Sequence, residues 1–116
     1  DLGTVYSYRG YKLGANGLAK YNIRDVRKSV ESYENALKFG EDPYLYGNLG
    51  WGYFLLNDFD SSIEYSLKAL RLRAELNYVR MNLGIAYLKM HDYEMSFCIL
   101  LVTYLIQLYS VKKRKQ

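Results

Sequence analysis

Apolar side chains recur at helical spacing on both sides of a short polar turn near the middle of the chain. The first apolar stripe contains Leu45, Leu49, Tyr53 and Leu56. The second stripe follows the turn and contains Phe59, Ile63, Leu67 and Leu70. Spacings of three and four residues place such side chains on one face of a helix. The pattern therefore predicts two helices joined at Asn57 and Asp58, with the Asp58 carboxylate as N-cap of the second helix.

This helical pair recurs further along the chain. Residues 48–60 read NLGWGYFLLNDFD, and residues 82–94, which begin 34 positions later, read NLGIAYLKMHDYE. A third copy precedes them, because the segment from Asp25 aligns with the segment from Asp58 at an offset of 33. We expect Asp25, Asp58 and Asp92 each to open the second helix of a hairpin. A helix pair that recurs at this interval is typical of a helical repeat array.

The chain resembles the tetratricopeptide repeat (TPR) family. The family's spacing of a bulky residue, Leu-Gly and Tyr appears as Tyr46, Leu49, Gly50 and Tyr53, and in part again as Leu83, Gly84 and Tyr87. The glycine lets the two helices of a hairpin approach closely. The resemblance implies one all-α domain over residues 1–116, a right-handed superhelical stack of about three helix-turn-helix hairpins. We place the repeats at about residues 10–42, 43–76 and 77–110, followed by a basic tail at 112–116.

The chain departs from the family pattern at two places. The first helix of repeat one, near residues 5–21, is a weak copy because Asn16 and Lys20 stand where Leu and Tyr are expected. The proline that usually ends a repeat is missing after Leu72. We therefore expect residues 73–75 to let one helix run into the next.

The resemblance implies a concave groove, formed by the first helices of the repeats, that holds an extended or helical peptide. The expected groove residues are Tyr11, Leu18, Tyr21, Tyr44, Trp51, Phe54, Leu55, Tyr78, Met81, Ile85, Leu88 and Lys89. Most of them are aromatic or aliphatic, which favours an apolar ligand over the C-terminal carboxylates that some TPR domains clamp with Lys, Arg and Asn. The other interpretation is that some of them pack between neighbouring repeats. We expect a non-catalytic scaffold that binds a protein or peptide.

The charge of the chain is concentrated in its tail. Half of the 116 residues are hydrophobic, which is enough to build a core. The formal net charge of +4 is accounted for by Lys112, Lys113, Arg114 and Lys115, so residues 1–111 are neutral. A nucleic-acid-binding domain normally carries a basic patch on its folded surface, and no surplus of positive charge is left to form one.

No catalytic, cofactor-binding or metal-binding motif is apparent. His91 and Cys98 are the only histidine and cysteine, which excludes zinc sites with paired cysteines. His91 stands where the family commonly has a turn glycine, which indicates an exposed turn residue, and Cys98 is expected to be a small buried side chain. The sequence therefore predicts no enzyme and no cofactor. A lone cysteine fits a reducing compartment, so we expect a cytoplasmic location.

The last predicted helix is apolar on all sides. Residues 95–111 read MSFCILLVTYLIQLYSV, without a charge, and KKRKQ follows. Because a terminal repeat needs a polar outer face, something is expected to cover this helix. The favoured interpretation is burial against a partner or in a homodimer, through Phe97, Leu101, Leu105 and Leu108. The alternatives are a packed helix of a longer parent protein and a membrane segment with a basic flank, against which the four polar residues of the helix weigh.

Overall fold

Five helices make up most of the chain that the computed structural model describes, which is residues 11–13 and 19–115. They are α1 (Ile23–Leu37), α2 (Pro43–Leu55), α3 (Phe59–Leu72), α4 (Asn77–Lys89) and α5 (Tyr93–Arg114). Two short antiparallel strands precede them, β1 (Tyr11–Leu13) and β2 (Ala19–Tyr21), with Lys12 opposite Lys20. The predicted all-α class is confirmed.

Four of these five helices begin at a side-chain cap. Asp42 accepts a hydrogen bond from the N–H of Tyr44 at 2.7 Å, and Asp58, Asp92 and Asn22 cap α3, α5 and α1 in the same way. Such caps satisfy backbone N–H groups that have no partner within the helix. Asp58 and Asp92 therefore open α3 and α5 as predicted.

The prediction that Asp25 opens a helix is wrong. Asn22 is the N-cap of α1, and Asp25 lies within the first turn of that helix. A carboxylate is favourable at either place, because the N-terminal end of a helix carries partial positive charge. The position of an acidic residue therefore locates the start of a helix only to within a few residues.

The two hairpin turns have the same backbone geometry. Asn57 and His91 take left-handed conformations, with φ of 62° and 61°. In each turn the next N–H bonds back to a tyrosine carbonyl of the first helix at 2.9 Å, Asp58 to Tyr53 and Asp92 to Tyr87. A left-handed residue followed by such a bond is a common way to end a helix. His91 is exposed in its turn, as predicted.

The helices stack in chain order. α2 packs along α3 and α4 along α5, which forms two hairpins, and α1 packs on α2. α3 packs on α4, and α2 also contacts α4, so the two hairpins lie side by side. One buried cluster joins α1 to α2 and contains Val30, Tyr33 and Leu49. A second cluster joins α2, α3 and the start of α4 and contains Tyr46, Ala69, Leu76 and Val79.

The two helices of each hairpin are closest at the glycine of the repeated motif. A Cβ on Gly50 would lie 2.6 Å from the Ser66 Oγ, and a Cβ on Gly84 would lie 2.7 Å from Leu100 Cδ2. Both distances are shorter than carbon atoms or hydroxyls tolerate without a shift of the neighbouring group. A larger residue at either position would require the side chain of Ser66 or Leu100 to move.

A buried serine of the second helix stabilises each of these contacts with a hydrogen bond. The Ser62 Oγ donates a hydrogen bond to the Gly50 carbonyl at 2.7 Å, and the Ser96 Oγ donates to the Gly84 carbonyl at 2.9 Å. Both bonds are buried, where a hydroxyl without a partner would be costly. The hairpins therefore share one contact, made of a glycine and a serine.

The first helix predicted for repeat one is not formed in the residues that the structure describes there. Tyr11–Leu13 and Ala19–Tyr21 are strands. Their sequences YKL and AKY alternate between apolar and polar residues, but three residues are too few to distinguish the period of a strand from that of a helix. The prediction of a helix near residues 5–21 is therefore wrong over these two segments, and α1 is the second helix of that repeat.

The predicted continuation of α3 into α4 is also wrong. α3 ends at Leu72, and Arg73 is extended, with φ −150° and ψ 95°. The Arg80 guanidinium of α4 donates a hydrogen bond to the carbonyl of Ala74 in the linker. Arg80 replaces the bulky residue of the family motif, and its hydrogen bond holds the bend that a proline would otherwise favour.

The two buried serines of α3 predict opposite effects of the same substitution. Ser62 is 0% and Ser66 is 1% exposed, but the Ser66 Oγ has no hydrogen-bond partner. We expect Ser62→Ala to lower the free energy of unfolding by about 1 kcal/mol, because the bond to α2 is lost. Ser66→Ala should leave it unchanged or raise it, because a buried hydroxyl without a partner is removed. Urea denaturation measures both, and equal losses would contradict a stabilising role of the Ser62 bond.

Candidate protein-binding surface

Three sides of α2 are packed against other helices, and glycines mark the closest contacts. Gly52 faces α1, and Gly50 faces α3. Gly47 faces α4, where a Cβ would lie 2.9 Å from Val79 Cγ2 and 3.1 Å from the Tyr78 hydroxyl. No other helix among the described residues packs on the fourth side of α2, and this side lies next to the uncovered side of α4 because the two helices touch at Gly47.

We call this pair of free sides the α2–α4 face. α2 contributes Tyr44, Trp51, Phe54 and Leu55, and α4 contributes Tyr78, Met81, Ile85, Leu88 and Lys89. Four of the apolar side chains are nearly half exposed, between 43% for Met81 and 46% for Leu88. The others are partly buried. The face is therefore an open apolar surface with a packed base.

Two tyrosines and an arginine form one end of the α2–α4 face. The Arg73 guanidinium carbon lies 5.8 Å from the centroid of the Tyr44 ring, within range of a cation–π interaction. Burial raises the pKa of Tyr78 above its ordinary value, and Tyr44 and Asp42 nearby add to the increase. The Tyr78 hydroxyl is therefore protonated at neutral pH and able to donate a hydrogen bond.

Three aromatic rings form the other end. Trp51 and Phe54 stack, with ring centroids 5.1 Å apart and planes 8° from parallel. Phe59 at the start of α3 meets Phe54 edge to face, with centroids 5.4 Å apart. Phe59 was not among the predicted groove residues. Its position directly after the Asp58 cap was the available signal, because a residue just beyond a tight turn returns toward the end of the preceding helix.

A comparison with protein families matches residues 43–76 to the family described as Tetratricopeptide repeat. The matched residues comprise α2, α3 and the linker to α4. Residues 43–76 form a tetratricopeptide repeat. The predicted family is thereby confirmed, and TPR repeats generally mediate protein–protein interactions. A search of curated proteins found no match to the chain.

Nine of the twelve predicted groove residues belong to α2 and α4, the two neighbouring helices of the α2–α4 face. The other three belong to the first repeat. Tyr11 and Tyr21 belong to strands β1 and β2, and Leu18 lies outside the described residues. That the nine residues bind a ligand stays a prediction.

The last helix of the TPR stack, α5, carries a second apolar surface. The predicted self-association residues are exposed: Phe97 66%, Leu101 43%, Leu105 53% and Leu108 48%. Cys98 is exposed too, so the prediction of a buried cysteine is wrong, because its side of α5 points away from α4. By length and composition α5 would be able to cross a membrane, and it is the one such helix among the described residues.

Ionisable side chains of the TPR repeat serve capping and packing. The Tyr53 hydroxyl donates to Glu34 of α1, and the Tyr46 hydroxyl donates to Glu41 at 2.7 Å. The bond to Glu41, followed by burial, raises the pKa of Tyr46, and burial, followed by the bond to Glu34, raises that of Tyr53. Within residues 11–13 and 19–115, no three His, Cys, Asp or Glu side chains are grouped so that they could hold a metal ion.

The ring stack predicts a change in the fluorescence of Trp51, the only tryptophan of the chain. Phe54→Ala removes the ring that covers one side of the indole. We expect the emission maximum to shift to longer wavelength, because the indole gains contact with water. Phe97→Ala on α5 is the control, since it removes an exposed phenyl ring that no contact joins to Trp51, and it should leave the emission unchanged. An unchanged spectrum in Phe54→Ala would contradict the stacked arrangement.

Proposed function

We propose that the chain is a non-catalytic scaffold whose α2–α4 face binds an apolar segment of a protein partner. The observation that carries the proposal is the contact of α2 with α4, whose eight apolar groove residues include four that are nearly half exposed. Contiguous exposed patches of this kind usually mark interaction sites. The general role of TPR repeats in protein–protein interaction supports the same conclusion.

The size and charge of the face indicate the kind of segment that fits it. α2 and α4 have 13 residues each, so the face is about 20 Å long at 1.5 Å per residue. Arg73 stands at one end and Lys89 at the other, and the centre is uncharged. A short amphipathic helix with three or four large apolar side chains satisfies this length and polarity. A run of carboxylates does not, since two separate cations cannot neutralise it.

The aromatic end supplies the expected anchor of the interaction. Trp and Tyr give large contact areas with few rotatable bonds, and such residues dominate the binding energy of protein interfaces. Trp51 is held against Phe54 before any ligand arrives. Because its side chain is already ordered, binding costs little further entropy.

The proposal predicts that truncation of one side chain on each helix of the face removes binding without unfolding the protein. Peptides selected on the wild-type chain from a displayed library of random sequences serve as the probe. Trp51→Ala with Leu88→Ala should weaken their affinity by about thirtyfold or more, as expected for loss of an aromatic anchor. The free energy of unfolding should change by less than about 1 kcal/mol, because both side chains are partly exposed. Calorimetric titration and urea denaturation measure the two quantities.

Leu72→Ala is the matched control for Leu88→Ala. Both leucines are 46% exposed, but Leu72 ends α3 and lies off the α2–α4 face. The control should retain full peptide affinity. Two results would reject the proposal: selected peptides that bind the double variant as tightly as the wild type, or a double variant that loses stability and binding together, which would assign the residues to the core.

A further inference from the structure

The outer surface of α5 is apolar and no described part of the chain covers it. Only Ser96 and Thr103 are buried among the 22 residues of the helix. Ten large apolar side chains on α5 are at least 40% exposed, from Val111 at 40% to Phe97 and Tyr109 at 66%. Nothing comparable occurs on the equivalent helix of the preceding hairpin.

That helix, α3, provides an internal reference for α5. Its outward positions hold Glu64, Lys68 and Arg71, and their counterparts one repeat later on α5 are Cys98, Val102 and Leu105. Glu64 and Lys68 form an ion pair at 3.3 Å in α3, as expected for a helix side that faces water. The inner position is unchanged, because Ser96 repeats the role of Ser62. The two helices therefore share the serine contact with the preceding helix and differ most in the polarity of their outward positions.

The width of the apolar surface argues against a single helix as its cover. At 100° per residue, the exposed apolar side chains of α5 span about 200° of its circumference, from Tyr93 and Val111 through Leu101 to Met95. A helix packed alongside covers a stripe only about 100° wide. One helix of a second copy, or of a following repeat, would leave much of the surface in water. The apolar interior of a bilayer, in contrast, can contact about half of the circumference of a helix that lies on its surface.

The polar residues that weighed against lipid all lie on the inner side of α5. Ser96 donates a hydrogen bond to an α4 carbonyl at 2.9 Å, and Thr103 donates at 2.8 Å to a carbonyl one turn earlier in α5. Gln107 and Ser110 line a cleft that α5 shares with the first residue of α4. Because the Ser96 and Thr103 hydroxyls are bonded within the protein, contact of the outer side with hydrocarbon leaves neither of them without a partner.

Four cations follow the apolar segment directly. Lys112, Lys113, Arg114 and Lys115 are all exposed, whereas the rest of the chain has no net charge. Basic clusters beside an apolar membrane-contacting segment are attracted to anionic lipid headgroups, roughly fivefold in affinity per cation. The surface of an anionic bilayer complements both the apolar side and the charged end of α5.

We infer that α5 is a membrane-surface helix that holds the TPR stack on an anionic phospholipid bilayer. Its outer side enters the boundary between headgroups and acyl chains, and its inner side stays on α4. The helix lies in the plane of the membrane and does not cross it, because crossing would break the Ser96 bond and expose the glycine contact. The cytoplasmic leaflet carries anionic lipids, in agreement with the expected cytoplasmic location.

Vesicle sedimentation with the whole chain tests this inference. The probes are vesicles of phosphatidylcholine alone and vesicles that contain about 30% phosphatidylserine, an anionic fraction that gives a strong surface potential. The wild type should sediment with the anionic vesicles, bind the neutral ones at least about tenfold more weakly, and be released by high salt. Lys112→Gln, Lys113→Gln and Arg114→Gln together should lower the affinity by roughly a hundredfold.

The apolar contribution is tested at matched positions of α5 and α3. Leu101 and Leu67 occupy equivalent places in successive repeats and are both 43% exposed. Leu101→Gln with Leu105→Gln should weaken vesicle binding about tenfold or more without a change of net charge, because two apolar side chains no longer enter the membrane. Leu67→Gln, the control, should bind like the wild type. Circular dichroism verifies that each variant retains its helices.

Three results would overturn the inference. One is a protein that binds neither vesicle type and is a dimer by light scattering, whereas the variant with both leucines changed to glutamine is a monomer. A second copy of the chain would then cover α5. Another is a monomer that binds neither vesicle. The last is vesicle binding that the double variant retains and the tail variant loses, because the tail alone would then account for the attraction.

Discussion

The close contact within each hairpin is the constraint on which both surfaces of this protein depend. Gly50 and Gly84 let paired helices approach until a serine hydroxyl of one reaches a carbonyl of the other. This contact determines the side on which each helix meets its partner, and therefore the side that remains free. On α2 and α4 the free sides adjoin, because Gly47 allows those two helices to touch. On α5 no later helix of the described chain follows, so a much larger part of its circumference is left open.

The two free surfaces differ in ways that suit different partners. The α2–α4 face is narrow, and its rings are already in contact, with Trp51 stacked on Phe54 and Phe59 edge to face against Phe54. Such a surface has a defined shape, as the proposed binding of a protein segment requires. The outer side of α5 is broad, and its only directional feature is the charge at one end. In a repeat stack each unit contacts only its neighbours, so the outer residues of one helix can change while the hairpin contact is kept.

Most of the helical architecture could be predicted from local patterns. Three local patterns made this possible: the apolar spacing, the Asp58 and Asp92 caps, and the regular recurrence of the helix pair. Each reflects interactions within a helix or between adjacent helices, which impose a regular pattern on the sequence. The predictions were wrong where the sequence pattern was weak. The segment near residues 5–21 lacked the Leu and Tyr of the motif, and three-residue strands are too short for a reliable period. At the junction of α3 and α4 the Arg80 side chain stabilises the bend by a hydrogen bond to the Ala74 carbonyl. No turn motif in the linker sequence indicates this bond.

The sequence by itself determined the family, the helix pairs and the set of residues that share each helical face. It did not determine which of those faces meets a neighbour, because helical spacing specifies relative directions around one axis and says nothing of what surrounds that axis. Cys98 and Thr103 illustrate this difference: both lie in one uncharged segment, yet packing on α4 buries the hydroxyl and leaves the thiol exposed. Only the tertiary structure decided that the polar residues of α5 lie on its inner side and its apolar residues on the outside, since that arrangement follows from where α4 is placed.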